Sequence, residues 1–193
     1  FDLLIITHPF GFYTKFEDLK NLLKKECKII YDSSNSHGLL VNSGKIDHIK
    51  EADISFFSIQ GNKSISGGEG GVALTDDDSL YEKMIINHHP GHRLNVNKNI
   101  AGSIVDLKLR MHPFAAYIGL NDLKSFETRN NKLKKKIVEI YNFFDRKNIK
   151  HPYDKKNDIS GFHYGLPFFY DEQIKDEIIK EYNWYADLRD KGI

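Results

Sequence analysis

The amino-acid sequence predicts an α/β fold with a mixed, mainly parallel sheet, because short apolar runs alternate with helical repeats. Asp2–Thr7 and Cys27–Tyr31 are short runs rich in apolar and β-branched residues, which is typical of buried strands. Between them, apolar residues recur at helical spacing over Phe16–Leu23. A helix between two buried strands is the βαβ unit of a parallel sheet that carries helices on its faces.

Later segments extend this pattern. Ala52–Ser58 and Gly71–Thr75 are two further predicted strands, joined by a glycine-rich bend, and Asp76–Asn87 is a predicted helix. The longest helix signal runs over Pro113–Arg146, where apolar residues recur at the spacing of one buried stripe. The residues of this stripe are Leu133, Ile137, Ile140, Tyr141 and Phe144.

The chain divides into two predicted domains. Residues 1–150 would form a large domain, and residues 151–193 would form the start of a small α+β domain. The boundary falls in His151–Ser160, which is polar and has no hydrophobic period, and residues 161–170 after it have the composition of a strand. Because the chain opens on Phe1 inside a strand-like run, and closes just after a helical pattern, we expect further sequence at both ends.

Composition gives no reason to expect nucleic acid or a membrane as partner. Lys and Arg number 28 against 27 Asp and Glu, so the net charge is only +1. No apolar stretch approaches the ~20 residues that a membrane helix needs, and no signal peptide precedes the first strand. Cys27 is the single cysteine, so an internal disulfide is excluded, and we expect it to be a buried strand residue. These features favour a soluble cytoplasmic protein.

Three polar residues follow predicted strands and could form one site. Taken singly, Asp32 is typical of a turn, and Lys63 is typical of a solvated loop. The carboxyl ends of parallel strands meet at one edge of a sheet, and Asp32 and Ser58 end two predicted strands. Lys63 follows in the next loop. Pyridoxal-phosphate chemistry needs a Schiff-base lysine, a carboxylate facing the ring nitrogen, and donors for the phosphate, and these residue types supply that set.

Three segments resemble the DegT/DnrJ/EryC1/StrS aminotransferases, a fold-type I pyridoxal-phosphate family. FSIQGNKSISGGEGGVALTDD is similar to the family's cofactor-lysine segment, in which a serine precedes the lysine by five residues and a Gly-Glu-Gly-Gly turn leads into a strand. YDSSNSHG resembles the family's Asp-Ala-Ala-Gln-Ala-His-Gly, and LRMHPFAAYIGLNDL resembles the segment before its long helix. The resemblance implies the aspartate aminotransferase fold for the large domain.

The resemblance also implies a role for each matching position. Lys63 would bind pyridoxal 5′-phosphate and act as general base and acid, and Asp32 would pair with the protonated ring nitrogen. Ser58 would donate to the phosphate, and Asn35, shorter than the family's glutamine, would contact the ring or its hydroxyl. Lys108 stands where the family often has an asparagine that reaches the phosphate in the partner subunit, and a lysine can hold phosphate by charge.

Transamination is the activity that the resemblance implies. The amino group would pass from glutamate or glutamine to a keto-sugar, often nucleotide-linked, or to a keto-cyclitol, in a homodimer. Dehydratases of the family have a histidine in place of the lysine, so Lys63 argues against that branch. The family's complete chain is about twice this length and carries a second phosphate-binding loop, so we expect weak cofactor binding. The competing hypothesis is a truncated, non-catalytic relative that keeps the fold and the dimer surface.

A metal site is the remaining alternative in the sequence. His88, His89 and His92 are close enough along the chain to be zinc ligands. Pro90 and Gly91 break any helix at this point, and no cysteine or carboxylate completes the set. We therefore expect a loop near the dimer interface or the rim of the active site, and no metal.

Overall fold

A computed structural model describes residues 2–14, 23–38, 40–41, 44–45, 51–88, 109–153, 165–171 and 180. The strands are β1 Leu3–Thr7, β2 Lys28–Asp32, β3 Leu40–Val41, β4 Gly44–Lys45, β5 Ile54–Ser58 and β6 Gly71–Leu74. The helices are α1 Asp78–His88 and α2 Pro113–Arg146. The predicted helix at 16–23 lies outside the described residues except for its last position. The helical pattern near the end of the sequence, predicted as a helix over 172–191, lies outside them except for residue 180.

The main sheet has four strands in the order β1-β2-β5-β6. β1, β2 and β5 are parallel, and β6 runs antiparallel to β5, which confirms the prediction of a mixed, mainly parallel sheet. Thr7 pairs with Asp32, and Asp32 pairs with Phe56, so the three parallel strands end at the same edge. β3 and β4 form a separate two-stranded antiparallel hairpin, which the sequence did not predict.

The two faces of the sheet differ in burial. Ile6, Tyr31 and Ala52 form a buried cluster on one side, as expected for a parallel sheet covered by other elements. The alternate positions of β1 face the other way, and Ile5 is 60% exposed. Phe56 on β5 is 40% exposed. One face of the sheet is therefore packed, while the other presents apolar side chains to solvent.

Helix α2 has the bounds that the sequence predicts. His112 caps its first turn, with the ring Nδ1 accepting from the Phe114 amide at 3.2 Å, and Pro113 occupies the first helical position. Ile137 and Tyr141 of the predicted stripe are buried, and its other members are half-buried. Among the described residues, no helix is both long and apolar enough to cross a membrane.

The carboxyl-terminal half of α2 carries a cluster of aromatic side chains, separate from the buried cluster of the sheet. Tyr141 is fully buried, stacks on Tyr153 with ring centroids 4.8 Å apart, and contacts His151 at 4.7 Å. Phe144 of the same helix contacts Phe168 at 5.5 Å. The segments after α2 therefore pack back onto it, and the domain boundary near residue 150 stays a prediction.

Three local predictions differ from the structure. The described part of the predicted strand, residues 165–170, forms no strand. Pro167 lacks an amide donor, and the Phe169 amide donates to the Lys150 carbonyl at 2.7 Å rather than to a neighbouring strand. Helix α1 begins two residues later than predicted, because Asp77 caps it through the Leu80 amide at 3.0 Å. Cys27 lies just before β2 and is half-buried rather than buried.

Candidate functional site

The turn after β2 carries two of the predicted site residues, Asp32 and Asn35. The Asp32 carboxylate accepts from the Ser34 amide at 3.1 Å, which closes an Asx turn at the strand end. The Ser33 amide donates to the Phe56 carbonyl at 2.9 Å and so ties the turn to β5. Asp32 and Asn35 are both half-buried, which leaves their side chains accessible at this edge of the sheet.

The first residue after β1 supports this turn from the opposite side. His8 is fully buried, and its amide donates to the Asp32 carbonyl at 3.1 Å. The Ser36 hydroxyl donates to the His8 carbonyl. The His8 ring lies edge-on to Tyr31 at 4.6 Å, and the Tyr31 hydroxyl donates to Glu51 at 3.2 Å. Burial raises the pKa of Tyr31 well above its usual range, so the Tyr31 hydroxyl stays protonated.

The loop between β5 and β6 carries Ser58 and Lys63. The Lys63 amide donates to the Gln60 carbonyl at 2.9 Å, which makes a tight turn before the lysine. The Ser58 hydroxyl oxygen accepts from the Gln60 amide at 3.3 Å, which leaves the hydroxyl hydrogen able to donate to an anion. The loop closes where the Ile59 amide bonds the Gly70 carbonyl at 2.9 Å. Backbone bonds therefore shape this glycine-rich loop.

The two segments meet through side chains. Lys63 Nζ donates to Asn35 Oδ1 at 2.5 Å, and both residues are half-buried. These residues are 28 positions apart in sequence, and the parallel pairing of β2 with β5 brings them together. Asp32 and Ser58 end those same two strands. The structure thus joins Asn35 to Lys63 directly and places Asp32 and Ser58 at the neighbouring strand ends, whereas Lys108 lies outside the described residues.

His37 is a residue of this region that the sequence analysis left without a role. It is 3% exposed, and its ring lies 5.6 Å from that of Phe57. Burial lowers the pKa of His37, contact with the Ser58 backbone partly opposes this, and the positive charge of Lys63 lowers the pKa further. His37 is therefore neutral at neutral pH. The sequence feature that could have indicated a role for His37 is its place two residues after Asn35 in the NSHG segment. A histidine in a turn is compatible with many roles, so this feature alone does not predict one.

Helix α2 closes one side of the site. The turn residue Gly38 has φ +70°, and a Cβ there would lie 2.8 Å from the Phe126 ring of α2. An apolar cavity of about 630 Å³ lies between α2 and strands β5 and β6. Phe57, Val72 and Leu123 contribute to its walls, whereas Lys63 does not. The amine of Lys63 and this cavity are therefore separate features of the structure.

The described residues hold no metal centre. They contain no group of three or more His, Cys, Asp or Glu side chains that could bind an ion. His88 is the last residue of α1, whereas His89 and His92 lie outside the described residues. The expectation of a rim loop at these histidines stays a prediction.

The mainly parallel sheet and its helices define the fold class. This is the large-domain fold of pyridoxal-phosphate-dependent enzymes of fold type I. Within that class, the chain belongs to the DegT/DnrJ/EryC1/StrS aminotransferase family, whose sequence pattern it matches over residues 3–183.

Curated relatives carry more specific names. The chain is 29% identical over 147 residues to a GDP-perosamine synthase from Escherichia coli O157:H7, a match that covers 76% of this chain and 38% of the relative. It is 33% identical over 147 residues to the UDP-4-amino-4,6-dideoxy-N-acetyl-beta-L-altrosamine transaminase of Campylobacter jejuni, with 74% and 37% covered. The chain therefore matches well under half the length of these two relatives.

Solved structures agree with the fold. A DegT DnrJ EryC1 StrS aminotransferase from Brucella abortus superposes with a TM-score of 0.72 at 18% identity, covering 92% of this chain and 47% of that one. The GDP-4-keto-6-deoxy-D-mannose-3-dehydratase of E. coli, solved with bound hydrated PLP, has a TM-score of 0.72 at 19% identity, with 94% and 51% covered. At these identities the likeness establishes the fold alone.

Proposed function

We propose that this chain carries the cofactor-lysine half of an aminotransferase active site, in which Lys63 binds pyridoxal 5′-phosphate. The observation that carries the proposal is the contact of Lys63 Nζ with Asn35 Oδ1 at the carboxyl ends of β2 and β5. The residues present fit the cofactor chemically. The carboxylate of Asp32 and the hydroxyl of Ser58 lie at the ends of two adjacent strands, and the primary amine of Lys63 follows in the next loop. Groups of these three types hold the ring nitrogen, phosphate and aldehyde of pyridoxal phosphate.

Each side chain has a distinct task in this proposal. When bound, the cofactor supplies an electron sink for negative charge that develops at the substrate α-carbon. Asp32 faces the ring nitrogen and keeps it protonated, and Ser58 donates to the phosphate. Asn35 orients the Lys63 amine. Lys63 removes the α-proton of the amino donor and returns a proton when the amino group is delivered to the acceptor.

The family and the names of its members support a proposal for the substrates. We propose glutamate or glutamine as the donor and a keto-sugar as the acceptor, nucleotide-linked as in the perosamine synthase and altrosamine transaminase named above. A keto-cyclitol is the alternative acceptor. Lys63 favours transfer over dehydration, because the dehydratases of the family have a histidine in place of this lysine, and a histidine cannot form the Schiff base that a lysine amine forms.

A homodimer with a shared site is the second part of the proposal. Its support is a row of exposed apolar side chains on the first turns of α2 and just before it. These residues are Leu109, Phe114, Tyr117 and Ile118. Lys108 precedes this row, and in the proposed dimer it reaches the phosphate bound by the partner.

The test of the cofactor site is covalent capture. Wild-type protein mixed with pyridoxal phosphate should develop a yellow absorption band, and borohydride should fix the cofactor to the peptide that contains Lys63. Lys63→Ala should lose the band, whereas Lys83→Ala, an exposed lysine on α1, should keep it. A band and a labelled peptide that persist in Lys63→Ala would show that other lysines react, and the assignment would fail. No capture by the wild type would favour the non-catalytic alternative.

A further inference from the structure

Two charged residues in the middle of α2 form hydrogen bonds with the backbone of the loop that follows Lys63. Asp122 Oδ2 accepts from the Ser66 amide at 2.8 Å. Arg129, seven residues further along the helix, donates through Nη1 to the Ser64 carbonyl at 3.2 Å. Both contacts are made to backbone groups within three residues of Lys63. They therefore act on the course of the main chain at the lysine rather than on one flexible side chain.

The two helix residues also fix each other. Arg129 Nη2 donates to Asp122 Oδ1 at 2.8 Å and to the Asp122 carbonyl at 3.1 Å. Arg129 Nε donates to the Ser125 hydroxyl at 3.1 Å. A guanidinium with its planar fork bound on several sides has little rotational freedom left. The Asp122–Arg129 pair is thus a fixed unit, the clamp, in which Asp122 Oδ2 and Arg129 Nη1 bind the loop backbone.

The clamp acts beside a close backbone approach. A Cβ at Gly67 would lie 2.6 Å from the Ala115 carbonyl oxygen, so the loop and the first turn of α2 are in direct contact. The loop backbone therefore contacts α2 at three residues, Ser64, Ser66 and Gly67. Gly38, in the turn that carries Asn35, packs against Phe126 of that same helix. Helix α2 thus sets the positions of both segments that meet at Lys63.

We propose that Asp122 and Arg129 are positioning residues that hold Lys63 within reach of Asn35 and of the cofactor. The inference rests on the proposed function, because it assigns these residues to the presentation of the cofactor lysine. Stability alone is a weak explanation. Their side chains are 28% and 46% exposed, and such surface ion pairs contribute little to folding. The directional bonds to the Ser64 and Ser66 backbone are what a catalytic lysine requires from its support.

The test compares capture of pyridoxal phosphate in wild type, Asp122→Ala, Asp122→Asn and Arg129→Lys. Glu139→Ala, an exposed residue on the same helix, is the matched control. Asp122→Ala removes an anionic acceptor from a backbone amide, so half-saturation of the adduct at Lys63 should need about tenfold more cofactor. Asp122→Asn keeps an oxygen for the Ser66 amide and should recover part of this loss. Arg129→Lys loses the planar fork and should resemble Asp122→Ala.

A second readout separates positioning from folding. Each variant should unfold in urea close to wild type, and the pH midpoint of its absorption band should move, because a displaced lysine amine has a different electrostatic environment. Hydrogen exchange of the Ser66 amide should accelerate in Asp122→Ala even without cofactor. Unchanged capture, midpoint and exchange in all three variants would overturn the positioning role alone. If wild type itself is not labelled at Lys63, the proposed function fails, and the role falls with it.

Discussion

At the scale of single residues, the contact between Asn35 and Lys63 depends on side-chain length. Asn35 is one methylene shorter than the glutamine of the related family segment, yet its Oδ1 lies 2.5 Å from Lys63 Nζ. The long lysine side chain spans the remaining distance from the neighbouring loop. The shorter amide therefore still meets the amine, and the substitution is compatible with the proposed site.

His37 should make stability depend on pH. Burial lowers its pKa in the folded state below the ordinary value of 6.5, so the unfolded chain takes up the proton first as the pH falls. The contribution of His37 to the free energy of unfolding should therefore be constant above pH 6.5. Below that pH it should decrease by at most about 1.4 kcal/mol per pH unit. Urea titrations between neutral and mildly acidic pH measure this slope. His37→Asn should flatten it, and an equal slope in that variant would contradict the prediction.

The site residues predicted from the sequence and the residue that only the structure indicates differ in their signals. Lys63, Asp32, Ser58 and Asn35 stand in short local segments, so their neighbours in the chain identify them. Asp122 has no such context, because a carboxylate on a long polar helix face reads as solvated. Its partner amide is 56 residues away in sequence, and only the folded chain brings the two together.

At the scale of elements, the loop between β5 and β6 depends on close packing against α2. In Gly67→Ala the added methyl group would lie 2.6 Å from the Ala115 carbonyl and 2.7 Å from Ile59 Cδ1. We expect the free energy of unfolding to decrease by about 1–3 kcal/mol, the usual range for overpacking. Chemical denaturation of the variant and the wild type measures the difference.

Gly61→Ala is the control for that substitution. It lies in the same loop, and the nearest atom to its added Cβ is the Gly68 carbonyl oxygen at 3.6 Å, an ordinary contact distance. Its stability should stay within about 0.5 kcal/mol of wild type. If both variants lose the same stability, helix proximity is not the cause.

Two predicted elements, the long helix and the strand after residue 160, had opposite outcomes. Pro113–Arg146 is a helix as predicted, because a long repeat of one buried stripe allows few other structures. The aromatic run at 165–170 is not a strand. There Phe168 packs on Phe144, and the Tyr141 hydroxyl donates to the Pro167 carbonyl at 3.5 Å. The segment therefore contacts α2 through individual side chains and does not pair with a strand in the described part of the chain. A short apolar run alone does not distinguish these arrangements.

At the scale of the whole molecule, apolar side chains remain exposed at the start of α2. Phe114 is 73% exposed and Tyr117 is 67% exposed, and the proposed homodimer would bury them in an interface of more than about 1,000 Å². Light scattering should give about twice the chain mass of 22.4 kDa. The double variant Phe114→Glu, Tyr117→Glu should shift the protein to monomer by at least about tenfold in dissociation constant.

Phe169→Glu provides the comparison, since Phe169 is 61% exposed but lies beyond the carboxyl-terminal end of α2. It should leave the dimer unchanged. A wild-type protein that stays monomeric at micromolar concentration would contradict the dimer, and an equal effect of both sets of substitutions would indicate nonspecific association.

The sequence by itself determined the α/β class, the long helix and the segments around Asp32 and Lys63. All of these depend on neighbours within a few residues or on a regular repeat, which the printed chain displays directly. The tertiary structure decided that β6 is antiparallel, that Asn35 contacts Lys63, and that Asp122 binds the loop that follows Lys63. Such contacts join residues 28 and 56 positions apart. Their geometry is set by strand pairing and helix docking, and no local pattern in the chain encodes it.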